Sequence, residues 1–411
     1  MSRRTNLILA YQWGPVRVFR NHGGRLEEWD PPVRLAEELG PAPAGEGAGA
    51  VRHGTAGPLS GWTGWWNEVA AGDFDGDGRL DLVVSNWGEN TRYESFRQGP
   101  LHLFHGDAGE GRAHIAIEAY EASAPGNRAA AGPAARSARP RLLPLQAFGL
   151  MGMVLPEMRE RVGGFAAYGR EDLPGLYGSV WNSLEELQAV CLESMVFLNR
   201  GDHLEARPLP AAAQLAPAFA VTVADFDGDG REDLFLSQNL FALPADISRY
   251  DAGRGLWLRG DGTGRFRAIP ATESGLKIYG EQRGAAAADF DGDGRTDLVV
   301  TQNGAETKLY RNTGGRPGLR VRLAGPPGNV CGIGATLRVS AAGRLGPARE
   351  VRGGSGYWSQ DSAVQVLHVA EGQVPSEVQV RWPGGRITRT PVPAGARELV
   401  VSASGEGSVT P

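Results

Sequence analysis

Asp73, Asp75, Asp77 and Asp81 stand at positions 1, 3, 5 and 9 of the stretch Asp73-Phe74-Asp75-Gly76-Asp77-Gly78-Arg79-Leu80-Asp81. The same spacing returns at Asp225, Asp227, Asp229 and Asp233, and again at Asp289, Asp291, Asp293 and Asp297. Three carboxylates inside a tight turn, with a fourth closing it, make an oxygen cage suited to a hard dication. Glycine at the sixth position (Gly78, Gly230, Gly294) permits the bend that turns the seventh residue's carbonyl inward. That carbonyl belongs to Arg79, Arg231 and Arg295, whose side chains are then expected to face solvent. Calcium, which accepts six to eight oxygens in flexible geometry, suits such a loop better than magnesium, which keeps waters and a strict octahedron. Three bound Ca2+ ions are therefore expected. The alternative is an Asp/Gly-rich turn with no ligand. Recurrence argues against it, because every copy runs into an apolar stretch: Leu82-Val83-Val84, Leu234-Phe235-Leu236 and Leu298-Val299-Val300. Carboxylates this close also repel one another strongly unless a cation lies among them.

The elements that carry these loops read as β-strands. The 411 residues include 60 Gly and 27 Pro, and short apolar runs alternate with turn signals throughout, as in an all-β protein. Arg4-Thr5-Asn6-Leu7-Ile8-Leu9 aligns with Arg295-Thr296-Asp297-Leu298-Val299-Val300, which places Asn6 at the ninth loop position. The chain thus starts inside a repeat, and the native reading frame is expected to extend upstream, through the missing aspartates to a signal peptide. A second element, strand then Gly-rich turn, begins at Val16, Leu101, Met195, Leu256 and Lys308, so five units are visible. The interval from Asp225 to Asp289 suits one four-stranded blade. That from Asp73 to Asp225 is more than twice as long, which predicts a loop-less unit over Met195–Pro208 and an insertion over 119–190. Within the insertion, Ala119–Pro140 reads as linker. Ser183–Val190 has a helical pattern with a capping box from Ser183 to Glu186, so a helical flap is expected.

Beyond residue 316 the pattern changes to evenly alternating strands, such as Ala335–Val339, Val364–Val369 and Glu377–Trp382. They predict a small β-sandwich over 317–403, followed by a loose tail over 404–411. The parent β-domain is then 1–316.

The aspartate loops resemble FG-GAP/VCBS repeats, the blades of integrin-α-type β-propellers. The C-terminal stretch resembles the ASPIC/UnbV domain through Asn329–Ala335, Arg349-Glu350-Val351, Gly354–Gln360 and Val380–Gly385. Together they resemble the cartilage acidic protein family and its bacterial relatives. The resemblance implies a calcium-binding propeller of about seven blades and a secreted, extracellular or periplasmic, protein. Two departures stand out: the first repeat is cut, and neither a signal peptide nor the Cys-rich EGF-like module of the animal members is present. UnbV-type proteins are associated with natural-product gene clusters, so a calcium-dependent tailoring enzyme is the alternative to a protein-, glycan- or small-molecule-binding module.

Other chemistry is sparse. Net charge is −5, which gives no basic footprint for nucleic acid. No apolar run is long enough to span a membrane as a helix. Cys191 and Cys331 read as small buried apolar residues, with a single bridge between them as the alternative. The seven histidines, His22, His53, His102, His105, His114, His203 and His368, form no transition-metal pattern and are expected to be structural. Trp62, Trp65, Trp66 and Trp87 read as packing between blades, with an aromatic ligand platform as the alternative. No catalytic residues are assigned. A ligand site, if present, is expected under the insertion, near Phe165, Tyr168, Tyr177 and Trp181.

Overall fold

The computed structural model describes residues 6–36, 56–96, 99–107, 114–122, 141–245 and 247–410. The chain is all-β, and its sheets follow one another in the manner of propeller blades. A closed ring of blades is not formed among the described residues.

Each aspartate loop joins an edge strand of a sheet to the strand beside it. Glu68–Gly72 runs into the first loop and Asp81–Ser85 leaves it; Ala218–Ala224 and Asp233–Gln238 flank the second; Glu281–Ala288 and Asp297–Asn303 flank the third. The strands leaving the loops are apolar on both faces because both faces are covered. Leu82 and Val84 pack in one cluster with Val16, Val18, Trp62 and Trp66, while Val83 lies in another with Leu234 and Leu236 of the next sheet. Phe235, on the opposite face of its strand, meets Leu298 and Val300 of the third sheet. Period-two alternation thus distributes successive side chains between neighbouring sheets. Trp62 and Trp66 are buried to 1% exposure, with Phe197 edge-on to both, and Trp65 stacks on Trp87 at 4.0 Å. Trp62, Trp66 and Trp87 are core, and half-buried Trp65 packs on Trp87.

The N-terminal repeat alignment has a structural counterpart. Leu7–Leu9 pairs with Arg17–His22, and the amide of Asn21 donates to Asn6 Oδ1 at 3.1 Å. Asn199, Gly260 and Asn312 donate in the same way to Asp81, Asp233 and Asp297.

Three expectations about the long middle interval are corrected. Met195–Asn199 and Leu204–Pro208 are not a separate unit. They lie inside the sheet that carries the Asp73 loop, between Asp81–Ser85 and Pro32–Leu35, with Met195–Phe197 antiparallel to Leu82–Val84. Leu101–Asp107 does not pair with that sheet; it is the centre of an inserted four-stranded sheet, between His114–Ala122 and Glu185–Ala189. Ser183–Val190 is accordingly not a helix. Glu185–Ala189 is a strand held along Leu101–His105, and the tertiary ladder overrides the helical propensity of Glu, Leu, Gln and Ala. Short helices do occur, at Phe148–Val154, Pro156–Val162, Phe165–Tyr168 and Leu173–Tyr177, packed on Phe104, Ile115 and Ile117 of the inserted sheet. Most of the expected Ala119–Pro140 linker lies outside the described residues.

The C-terminal part is a two-sheet sandwich. Leu319–Ala324 lies between Gln365–Leu367 and Glu398–Ser402 in one sheet, and Thr336–Ala341 pairs with Pro375–Arg381 in the other. Val321, Leu337, Val339, Val378, Val380 and Val401 fill the space between. The final stretch is not a loose tail: Gly407–Thr410 adds an edge strand to Glu398–Val401. Cys191 is buried, as expected, but Cys331 is exposed, and no bridge joins them. No helix among the described residues is long and apolar enough to cross a membrane.

Candidate metal centres

The three loops share one hydrogen-bonded frame. The sixth-position amide of Gly78, Gly230 or Gly294 donates to the first aspartate at 2.8 to 2.9 Å. All three glycines have φ near +90°, a conformation that costs a residue with a Cβ. The second-position amide (Phe74, Phe226, Phe290) donates to Oδ2 of the ninth aspartate, whose Oδ1 takes the amide from the adjacent strand. The ninth aspartate therefore staples the loop to its sheet.

This frame gathers carboxylates. Asp73, Asp75 and Asp81 offer ligand atoms within 4.8 Å of one another, as do Asp225, Asp227 and Asp229, and Asp289, Asp291 and Asp297. Asp77, Asp233 and Asp293 lie outside those groups. Burial, reinforced by like-charged neighbours, pushes the carboxyls up: Asp73 to about 6, Asp81 to about 7 and Asp233 to about 8. Asp225 behaves differently: burial opposes ionisation, yet His368 and nearby Arg349 hold its carboxyl below the ordinary value.

The donor set fits a hard dication. All the gathered donors are carboxylate oxygens, and Asp73 Oδ1 is buried without a hydrogen-bond partner. A buried carboxylate oxygen left so is costly unless something positive faces it.

The seventh-position arginines do not simply face solvent. Arg79 and Arg295 fold back onto the fifth aspartates, Asp77 and Asp293, and Arg231 approaches Asp229 at 3.4 Å. Arg79 Nε also donates to Asn199 O and Arg295 Nε to Gly315 O, so both tie the loop to the following turn. A second set of arginines was not foreseen. Arg200 pairs with Asp75, Arg259 with Asp227 at 2.5 Å, and Arg311 with Asp291 at 2.5 Å. Part of their signal was available, since Arg259 and Arg311 directly precede Gly260 and Asn312 as Arg20 precedes Asn21, whereas Arg200 follows Asn199.

His368 was also missed as a site residue. Its Nε2 lies 3.0 Å from Arg316 O, while Nδ1 lies 3.0 Å from Asp225 Oδ2. Among the other histidines, His102 is buried against Glu186 at 2.7 Å within the inserted sheet. The aromatic residues expected under a ligand site pack within the insertion instead: Tyr177 is buried there, Trp181 lies against Phe104 at 4.5 Å, and Tyr168 donates to Gln146 O. Phe165 alone of that group is exposed. A cavity of about 60 Å³ lies elsewhere, between the loop-entering strands and the C-terminal sandwich, lined by Glu232, Arg349, Arg352 and Asp361. It has room for a few waters.

Successive sheets that each carry an acidic loop between two strands, with a sandwich at the C-terminus, define a propeller-type repeat protein. Residues 65–115 match the FG-GAP repeat, residues 241–300 the FG-GAP-like repeat, and residues 325–408 the family described as ASPIC and UnbV. The chain thus carries FG-GAP-type repeats and a C-terminal ASPIC/UnbV domain. It is similar to Cartilage acidic protein 1 of Xenopus tropicalis, 26% identical over 181 residues, a match covering 42% of this chain and 26% of that protein. The match thus spans about a quarter of that curated relative's length.

Proposed function

We propose that this chain is a calcium-stabilised binding protein of the cell exterior or periplasm, whose partner is a protein, glycan or small molecule. Each loop would hold one Ca2+ through its aspartates and the carbonyl of its seventh residue, Arg79, Arg231 or Arg295. Residues 1–316 form the cation-stabilised part in this reading and residues 317–403 its C-terminal domain.

The observation that carries the reading is the repetition of one loop frame three times, each bringing three carboxylates within reach of a single ion. Bound calcium supplies compensating charge and cross-links the turn. The chain's own part is to pre-form that turn: the Gly78, Gly230 and Gly294 amides hold the first aspartate, and the Asn199, Gly260 and Asn312 amides hold the ninth. The extracellular or periplasmic setting rests on the family resemblance.

Calorimetric titration tests the metal reading. Three Ca2+ should bind, with weaker binding of Mg2+ in competition. Asp75→Ala, Asp227→Ala and Asp291→Ala should each lower the stoichiometry by one. Binding of fewer than three ions by the folded wild-type chain overturns the assignment. A glycan, protein and metabolite screen with and without calcium tests the binding role.

A further inference from the structure

The first aspartate of every loop is engaged from outside its own sheet, and always by the C-terminal part of the chain. The amide of Ala348 donates to Asp73 Oδ2 at 2.8 Å. His368 Nδ1 lies 3.0 Å from Asp225 Oδ2, and Arg320 Nε lies 3.3 Å from Asp289 Oδ2. These three groups come from separate strands and loops of the sandwich, yet each reaches the same position of a different repeat. In each case the oxygen engaged is also the one that accepts the loop's Gly78, Gly230 or Gly294 amide.

The docking continues along the loops and strands. Arg316 N donates to Asp227 O at 3.0 Å and Gly318 N to Gly294 O at 2.7 Å. Arg349 pairs with buried Glu232, the eighth residue of the second loop, at 2.6 Å. The segment after Arg349 then runs along the loop-entering strands: Arg352 donates to Ala71 O, Ala287 N donates to Asp361 Oδ1, and Ser362 N donates to Ala287 O. It includes Gly354–Gln360, one of the stretches that carry the ASPIC/UnbV resemblance. The interface is thus polar: hydrogen bonds of Ala348, Arg316, Gly318 and Ser362 are joined by ion pairs of His368 and Arg320, whose Nδ1 and Nε approach the carboxylates without hydrogen-bonding them. Hydrogen bonds of this kind weaken steeply when an acceptor moves or turns.

We propose that the sandwich is a cation-dependent clamp: occupation of the three loops fixes the first aspartates and thereby the docking of the C-terminal domain across all three sheets. This rests on the metal reading above. A carboxylate has two oxygens, and in Asp73 they are divided. Oδ2 faces Ala348, whereas Oδ1 is buried and unpartnered. A cation on the loop side, facing Oδ1, would fix the orientation of that carboxylate and with it the alignment of Oδ2 to Ala348. Linkage makes the effect mutual: docking that favours the ion-binding arrangement must raise ion affinity by the same factor by which the ion favours docking.

Hydrogen–deuterium exchange on the full-length chain, in calcium and after chelation, reads this directly. Chelation should accelerate exchange of the interface amides of Gly318, Ala348 and Ser362 by about five- to 150-fold, the usual span of such couplings. The sandwich's own ladder, for example Val378 and Val380, should stay protected. Equal interface exchange in the two conditions, in protein shown by titration to bind three ions, overturns the clamp while leaving the metal reading intact. Failure to bind ions overturns the metal reading first. The reciprocal arm uses Arg320→Gln and His368→Gln, which remove no loop aspartate. Each should weaken Ca2+ at one site by about fivefold or more with stoichiometry still three. Unchanged affinities in both variants would also overturn the proposal.

Discussion

Met195 stands opposite Val84 in an antiparallel ladder, although an entire four-stranded sheet with its helices lies between them in sequence. The inserted sheet enters and leaves through another pair, since Leu101 stands opposite Ala189. Residues so paired have Cα atoms only about 4.5–5.5 Å apart.

Excision at that pair should therefore be tolerated. Replacing residues 102–188 by a short Gly/Ser turn keeps Leu101 and Ala189, which pack with Trp13, Trp87 and Tyr93. The shortened chain should stay soluble and bind the same number of ions, with stability changed by about 1–2 kcal/mol. Removing 119–190 instead should give insoluble protein, because it strips Glu185–Ala189 and the helices from Leu101–Asp107 and bares Phe104. Soluble yield and denaturant unfolding of the two deletions check this.

Chelation should destabilise the chain. An ion that binds only the folded state adds about 2.7 kcal/mol per site at a hundredfold excess over its Kd. Thermal unfolding in calcium against chelator should show a clear downward shift, and an unchanged midpoint would count against structural cations.

Glu68 should make stability fall toward alkaline pH. It is buried where the first loop-entering strand meets the C-terminal domain, accepts the Val221 amide at 2.8 Å, and has Oε1 unpartnered. Burial, with Asp361 nearby, pushes its carboxyl up to about 8. Folding thus favours its protonated form. The contribution is complete below the unfolded carboxyl's ordinary range and is lost as pH rises through about 8. Glu68→Gln, neutral at every pH, should flatten the decline between about pH 4.5 and 8 in urea titrations. An identical slope in the variant would assign the decline to other groups.

Arg349 and Glu232 should respond as a buried pair. Arg349→Met leaves Glu232, 2% exposed in its side chain, without its cation; the expected loss is about 3–5 kcal/mol. Adding Glu232→Leu should recover most of it, because the desolvation cost goes with the charge. Denaturant unfolding of the two single variants and the double variant gives the coupling.

Phe197→Ala should cost about 3–5 kcal/mol. Phe197 is fully buried, with Trp62 edge-on at 5.6 Å and Trp66 at 6.3 Å, so truncation leaves a cavity bounded by rigid rings. A loss under 1 kcal/mol in urea unfolding would show that the rings close over the gap.

The sequence by itself determined what depends on short spacing. Aspartates at fixed intervals, glycines that need positive φ, and strands of period two are local facts, and three repetitions made the loops and their sheets legible. Asn6 shows how far this reaches: alignment alone put it at the ninth position, and the Asn21 amide meets it there. Tertiary structure decided what depends on pairing across long intervals. Glu185–Ala189 has a helical composition, yet it is a strand because Leu101–His105 offers it an unpaired edge. Met195–Pro208 looked like a unit of its own, but it completes the Asp73 sheet, since Leu82–Val84 needs a partner on its outer side. The engagement of Asp73, Asp225 and Asp289 by Ala348, His368 and Arg320 has no local signature. A backbone amide, an imidazole and a guanidinium share no motif, and only the packing of the sandwich against three sheets brings them to equivalent carboxylates.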